Sequence, residues 1–193
     1  MYVITDPPGP PSVSSIAAMA SAEFSLAREK ILEHRLLSEL AVLMLRQGVE
    51  MDVLRSEFDA QGHDVVLEAM GVMRHVQLKA TVEGGKASAV IINTRLSSKV
   101  SGCVIWMNYD RHSLDITSYR WLGRAPGERL SSLGDRLARR ARANAQGVKA
   151  QMPGHRVIAK GSFDRLANLE ELAVRLFGRV PSPSGVNALD PGR

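Results

Sequence analysis

The sequence predicts an α/β or α+β domain built on one mixed sheet. The first sign is a long amphipathic helix that leads the chain. The second is a series of short strands with two-residue alternation, separated by turn residues. The third is the overall order: helix, three strands, a crossover, two strands, helix, strand, helix.

The leading helix spans 22–47. Phe24, Ile31, Leu36, Leu37, Leu40, Leu43 and Met44 recur at helical spacing, and Gly48 ends it. "VEMDVLRSEF", 49–58, alternates as a strand, and "DAQG" is a loop. Two strands follow at 63–69 and 72–80, with Gly71 in the turn between them. "EGGK" is a further turn. Residues 87–100 read either as a strand followed by a helical turn or as a short crossover helix. "GCVIWMNY" is a buried strand and "SLDITSYRWLG" its hairpin partner, with "DRH" in the turn. A helix is expected from Pro126, a first-turn position that suits proline, to about 145. "HRVIA" supplies a short strand, and a helix at 163–177 ends at Gly178.

The 193 residues suffice for one domain with tails. Residues 1–20 and 179–193 are rich in Pro, Ser and Ala and are expected to be disordered, leaving 21–178 as the folded part. No internal repeat is visible. Nor is there an apolar run of membrane-spanning length. "AMASAEF" looks like a signal-peptidase site, but Asp6 and prolines precede it and no basic region does, so secretion is not expected. The lone Cys103 sits in an apolar strand, which argues for a core residue in a reducing, cytoplasmic compartment. The net charge of +5 and pI near 9.7 favour a polyanionic partner.

The hairpin at 63–80 carries the most specific signal. With Met70 and Gly71 as a two-residue loop, Asp64 faces Gln77, Val66 faces His75 and Glu68 faces Met73. Alternation then places Asp64, Gln77 and Lys79 on one face and Val65, Leu67, Val76 and Leu78 on the other. A carboxylate and an amide oxygen are ligands for a hard cation such as Mg²⁺ (or Mn²⁺). A neighbouring ammonium would orient the attacking water or offset charge on a pentavalent phosphate. The same residues also fit a solvated strand face. The histidines lack metal-ligand spacing, and no glycine-rich phosphate loop, nucleophile elbow or zinc pattern occurs.

The acid of "GHDVVL" and the "QLK" of the following strand, behind a leading helix, resemble the PD-(D/E)xK nuclease superfamily over roughly 28–108. That resemblance implies a restriction-endonuclease-like or Holliday-junction-resolvase-like fold, a central mixed sheet flanked by helices. It implies metal binding by Asp64 and Gln77 and a catalytic Lys79. Many members add a glutamate from the first helix. Glu33 fits best, since it shares a face with Leu37, Leu40 and Met44, with Glu29 and Glu39 as alternatives. Glutamine replaces the usual third-strand acid and removes a negative charge, for which Glu33, Glu57 or Asp59 would compensate.

In the expected helix 126–145, Arg136, Arg139, Arg140 and Arg142 flank a Leu130, Leu133, Leu137, Ala141 stripe and could follow a phosphate backbone. Trp106, Tyr109, Tyr119 and Trp121 read as packing residues rather than base-stacking platforms. The functional reading is a Mg²⁺-dependent endonuclease-like protein acting on nucleic acid, DNA before RNA, in defence, mobile-element processing or repair. A homodimer is compatible with it, and no membrane partner is expected. The rival is a non-catalytic nucleic-acid-binding or protein-interaction module on the same fold.

Overall fold

The computed structural model describes residues 22–55, 62–143 and 147–178. The expected disordered tails, and the acids Glu57 and Asp59, lie outside that range. A 3-10 turn, Ala22–Phe24, leads into helix α1, Ser25–Arg46. Its inward stripe is Leu32, Leu36, Leu37, Leu40 and Met44, joined by Glu33. Strands β1 (Asp52–Leu54), β2 (Val65–Ala69) and β3 (Val72–Val82) follow. Next come β4 (Ala89–Asn93), a 3-10 turn at Thr94–Ser98, β5 (Gly102–Tyr109) and β6 (Ile116–Gly123). The chain closes with β7 (Leu137–Arg139), β8 (Gln151–Ala159), β9 (Asp164–Leu166) and helix α2 (Leu169–Phe177).

The result is α+β, with a mixed six-stranded sheet in the order β1-β2-β3-β5-β6-β9 and a second sheet in the order β4-β8-β7. The β3–β5 pair is parallel and the other pairs of the large sheet are antiparallel. Side-chain alternation gives the large sheet two buried faces. Cys103, Ile105 and Met107 of β5 join α1 and α2 in one core. Val104 and Trp106, from the intervening positions, join Ile92, Ile158 and Phe163 in another, covered by the small sheet.

From Val65 to the turn the β2–β3 register matches the sequence expectation, but the expected Asp64–Gln77 pair is not part of the ladder. Val65 pairs with Val76, Val66 with His75 and Glu68 with Met73. Met70 (φ 51°) and Gly71 (φ 73°) both take positive φ, as a type I′ turn demands. That turn fixes the register and with it the core face: Val65, Leu67 and Val76 are fully buried. A Cβ at residue 71 would meet nothing within 4 Å, so the cost of substitution is purely conformational. Gly71→Ala is therefore expected to lower stability by about 1 kcal/mol, read as a lower thermal midpoint with an unchanged folded spectrum.

Several expectations are corrected. The expected helix 126–145 is not formed over its described part, 126–143. Gly134 sits at φ 70°, which no right-handed helix contains, and Ala138 pairs with Met152 in the β7–β8 ladder. The leucine stripe still buries Leu130 and packs Leu133, but from extended chain against the second core. The closing helix is shorter than 163–177, because Asp164–Leu166 pair with β6. Asn168 caps α2 by accepting from Glu171 N–H at 2.9 Å, and Glu171 accepts from Ala167 N–H at 2.9 Å. The first strand is likewise confined to Asp52–Leu54 within the described residues, and the "HRVIA" strand extends back to Gln151. Of the two readings of 87–100, strand followed by a helical turn is the one observed.

Candidate functional site

The β2–β3 ladder ends at the Val65–Val76 pair, while β3 continues to Val82. Beyond that point no described strand pairs with the β3 edge away from β5. A cavity of about 500 Å³ lies along it, between this edge and the first turns of α1. Because the cavity borders a strand edge, residues of either sheet face can reach it. It is lined by Glu29, Lys30 and Glu33 of α1, His63 and Asp64 before β2, and Leu78, Lys79 and Ala80 of β3. Glu33, Asp64 and Lys79, distant in sequence, therefore meet at one space.

Asp64 is held at the strand edge from two sides. Its backbone N–H donates to Val76 O at 2.8 Å, and its Oδ2 accepts the Leu78 N–H at 2.5 Å. A backbone donor on a carboxylate is a charge-assisted bond that fixes its orientation. Glu33 is only 5% exposed. Its Oε2 accepts from Lys30 Nζ at 2.8 Å, and Arg55 approaches Oε1 at 3.0 Å as an ion pair without a hydrogen-bonding angle. Those two cations offset the cost of burying the carboxylate. Lys79 is half-buried and makes no side-chain ion pair among the described residues.

Gln77 is placed differently. It is 8% exposed, does not line the cavity, and its Oε1 accepts the Asn93 N–H at 3.2 Å. Asn93 in turn caps the 3-10 turn through Arg95 N–H at 3.0 Å. The glutamine thus ties β3 to the end of β4. Strand alternation alone predicts Asp64, Gln77 and Lys79 together on one sheet face. The structure instead gathers Asp64, Lys79 and Glu33 at a strand edge.

The donor set bears on which cation could bind. Among the described residues no three His, Cys, Asp or Glu side chains cluster as metal ligands do. The cavity does offer the carboxylates of Asp64 and Glu33. Two carboxylates completed by water suit Mg²⁺, which sheds its own waters reluctantly, better than they suit Zn²⁺ or Ca²⁺.

His63 and Lys30 also line the cavity. His63 is 6% exposed and packs edge-on against His75, with ring centroids 5.0 Å apart. His75 Nδ1 donates to Val100 O at 3.0 Å, so it serves the fold. His63 precedes β2, outside the regular alternation, and its direction could not be read from strand parity. Lys30 was legible as the i−3 neighbour of Glu33.

Arg136, Arg139, Arg140 and Arg142 do not share a helix face. Arg139 lies in β7, and Arg140 extends its ladder by donating N–H to Ala150 O at 2.9 Å. Cys103 is fully buried, and burial pushes its thiol up to about 12. Trp106, Tyr109, Tyr119 and Trp121 are buried, as expected. Among the described residues no helix is long and apolar enough to cross a membrane.

No protein-family model matches the chain, and no curated protein matches it. Among solved structures, part of the chain is similar to a bacterial homing endonuclease at 16% identity, with a TM-score of 0.30. The match covers 51% of this chain and 64% of that one, so the chain spans less than two thirds of the neighbour's length.

Proposed function

We propose that the chain is a metal-dependent phosphodiester hydrolase of the PD-(D/E)xK kind, acting on nucleic acid and on DNA before RNA. One observation carries this reading: Glu33, Asp64 and Lys79, from three separate stretches of chain, line a single cavity along the edge of β3. Asp64 and Glu33 would hold Mg²⁺ or Mn²⁺, which when bound supplies a Lewis acid for the phosphoryl oxygens and lowers the pKa of bound water. Asp64, fixed by the Leu78 N–H, keeps one carboxylate oxygen in a set direction. Glu33, buried and paired with Lys30 and Arg55, would supply the second carboxylate to the cation. Lys79 orients the attacking water and offsets negative charge as it builds on the phosphorus oxygens. Gln77 acts through the β3–β4 tie and not as a ligand.

The test is incubation of the purified chain with labelled duplex DNA, and separately with RNA, in Mg²⁺, Mn²⁺ or chelator. Strand scission of DNA that needs the cation is expected, together with its loss in Asp64→Ala. A specific feature favours a second reading, a binding module on the same fold: the third-strand acid is absent and its glutamine oxygen is engaged by Asn93. Nucleic-acid binding without scission in any of these metals would favour that module.

A further inference from the structure

The chain's positive charge is concentrated in one segment. Residues 124–160 hold nine lysines and arginines against Glu128 and Asp135, a net of +7, while the rest of the chain holds sixteen against eighteen, a net of −2. From 137 to 160 there is no acid at all. This acid-free stretch includes the antiparallel pair β7–β8. Arg139, Arg140, Arg142 and Lys149 are exposed there and make no ion pair among the described residues. Arg156, by contrast, is spent on the carbonyls of Gly134, Pro153 and His155.

We infer that the β7–β8 pair is a docking arm for duplex nucleic acid, holding it by its phosphates. Uncompensated exposed cations repel one another and cost stability, a cost that a polyanion relieves by releasing its counterions. The composition selects among polyanions. Residues 124–160 contain no Phe, Tyr or Trp, so the stacking platforms that hold single strands are missing. The same absence removes the aromatic anchors of a membrane-surface segment. A two-stranded ribbon also has the width that the major groove of B-form DNA admits.

The arm lies on the same side of the large sheet as Lys79. Gln77 and Lys79 pair with Val104 and Trp106 across β3–β5, and those residues pack under the small sheet. The Gln77–Asn93 bond ties that side of β3 directly to β4. An arm bound to a duplex would therefore hold it on the Lys79 side. Strand scission in the cavity rests on the reading above; phosphate binding by the arm does not depend on it.

Binding of a fluorescein-labelled duplex DNA, its single strand and anionic vesicles is measured by titration over a range of salt. Wild type is expected to bind the duplex ahead of the other two probes. Arg139→Ala/Arg140→Ala/Arg142→Ala is expected to lose at least about tenfold in affinity, with the log–log salt slope shallower by about three, near one per phosphate contact. The triple lysine variant keeps the charge and is expected to restore most of the binding. Unchanged duplex affinity in the triple alanine variant, or a preference for single strands or vesicles, overturns the arm. Cleavage that survives in the triple alanine variant at wild-type affinity sinks the arm alone, whereas duplex binding without scission sinks only the hydrolase.

Discussion

Arg74→Ala should lower the stability of the fold by about 3 kcal/mol, the largest loss expected of any single residue outside the apolar core. Arg74 is fully buried on the α-helical side of β3. Its guanidinium donates to Leu176 O at 2.5 Å, Arg175 O at 2.7 Å and Arg124 O at 3.0 Å. It also lies 5.4 Å from the Trp121 ring centroid, within cation–π range. Two of its acceptors are carbonyls of the last turn of α2, which leave the helix without intrahelical partners. A cation there also meets the negative end of the helix dipole. Burial pulls the guanidinium's pKa below its ordinary value, but a group that starts so high stays charged.

Truncation removes three charge-assisted bonds and leaves buried carbonyls unsatisfied. The recovered cost of burying the charge returns part of this, which sets the figure near 3 kcal/mol rather than the sum of the bonds. For a chain of this size the thermal midpoint should fall by roughly 6–12 °C. Arg74→Lys, a point charge without the planar fork, should lose about half as much. A midpoint unmoved in both variants would remove Arg74 from the account of what holds α2 to the sheet.

Lys79→Ala should slow strand scission by roughly a hundredfold to a thousandfold while leaving the fold intact. The side chain is half-buried and makes no ion pair among the described residues, so its removal costs the native state within about 0.5 kcal/mol. Its proposed work is in the transition state, where a placed donor or cation contributes on the order of 3–4 kcal/mol. Single-turnover rates with saturating protein isolate that step from binding. A rate within a few-fold of wild type would assign Lys79 to the strand and not to the chemistry.

The hairpin was legible because its information is local. Met70-Gly71 can turn two strands only one way, and the turn sets every pair from Val65–Val76 onward. The buried aromatics and Cys103 were legible for the same reason, an apolar strand bounded by turns. What the hairpin geometry could not show was where β2 would stop. Since its ladder ends at Val65, Asp64 turns to the β3 edge and meets Leu78 N–H rather than facing Gln77. The Gln77 partner, Asn93, belongs to another sheet, and no local pattern announces it. Arg74 shares strand parity with Val76 and Leu78, so its inward position was there to be read. A lone cation on an apolar face simply gave no hint of the helix end that receives it. Residues 126–145 misled because leucines at three- and four-residue spacing among arginines satisfy a helical period. The same leucines serve extended chain equally well once Gly134 breaks the helix and β8 offers a ladder.

The central claim is that the cavity shared by Glu33, Asp64 and Lys79 breaks phosphodiester bonds. Its most direct test is conversion of supercoiled plasmid to nicked or linear form by wild type and by Asp64→Asn, side by side in Mg²⁺. The substitution keeps the size of the side chain and an oxygen for Leu78 N–H, so the fold should persist. Wild type is expected to convert the plasmid and Asp64→Asn to leave it supercoiled. Equal conversion by both proteins, or none by the wild type in Mg²⁺ and Mn²⁺ alike, would contradict it.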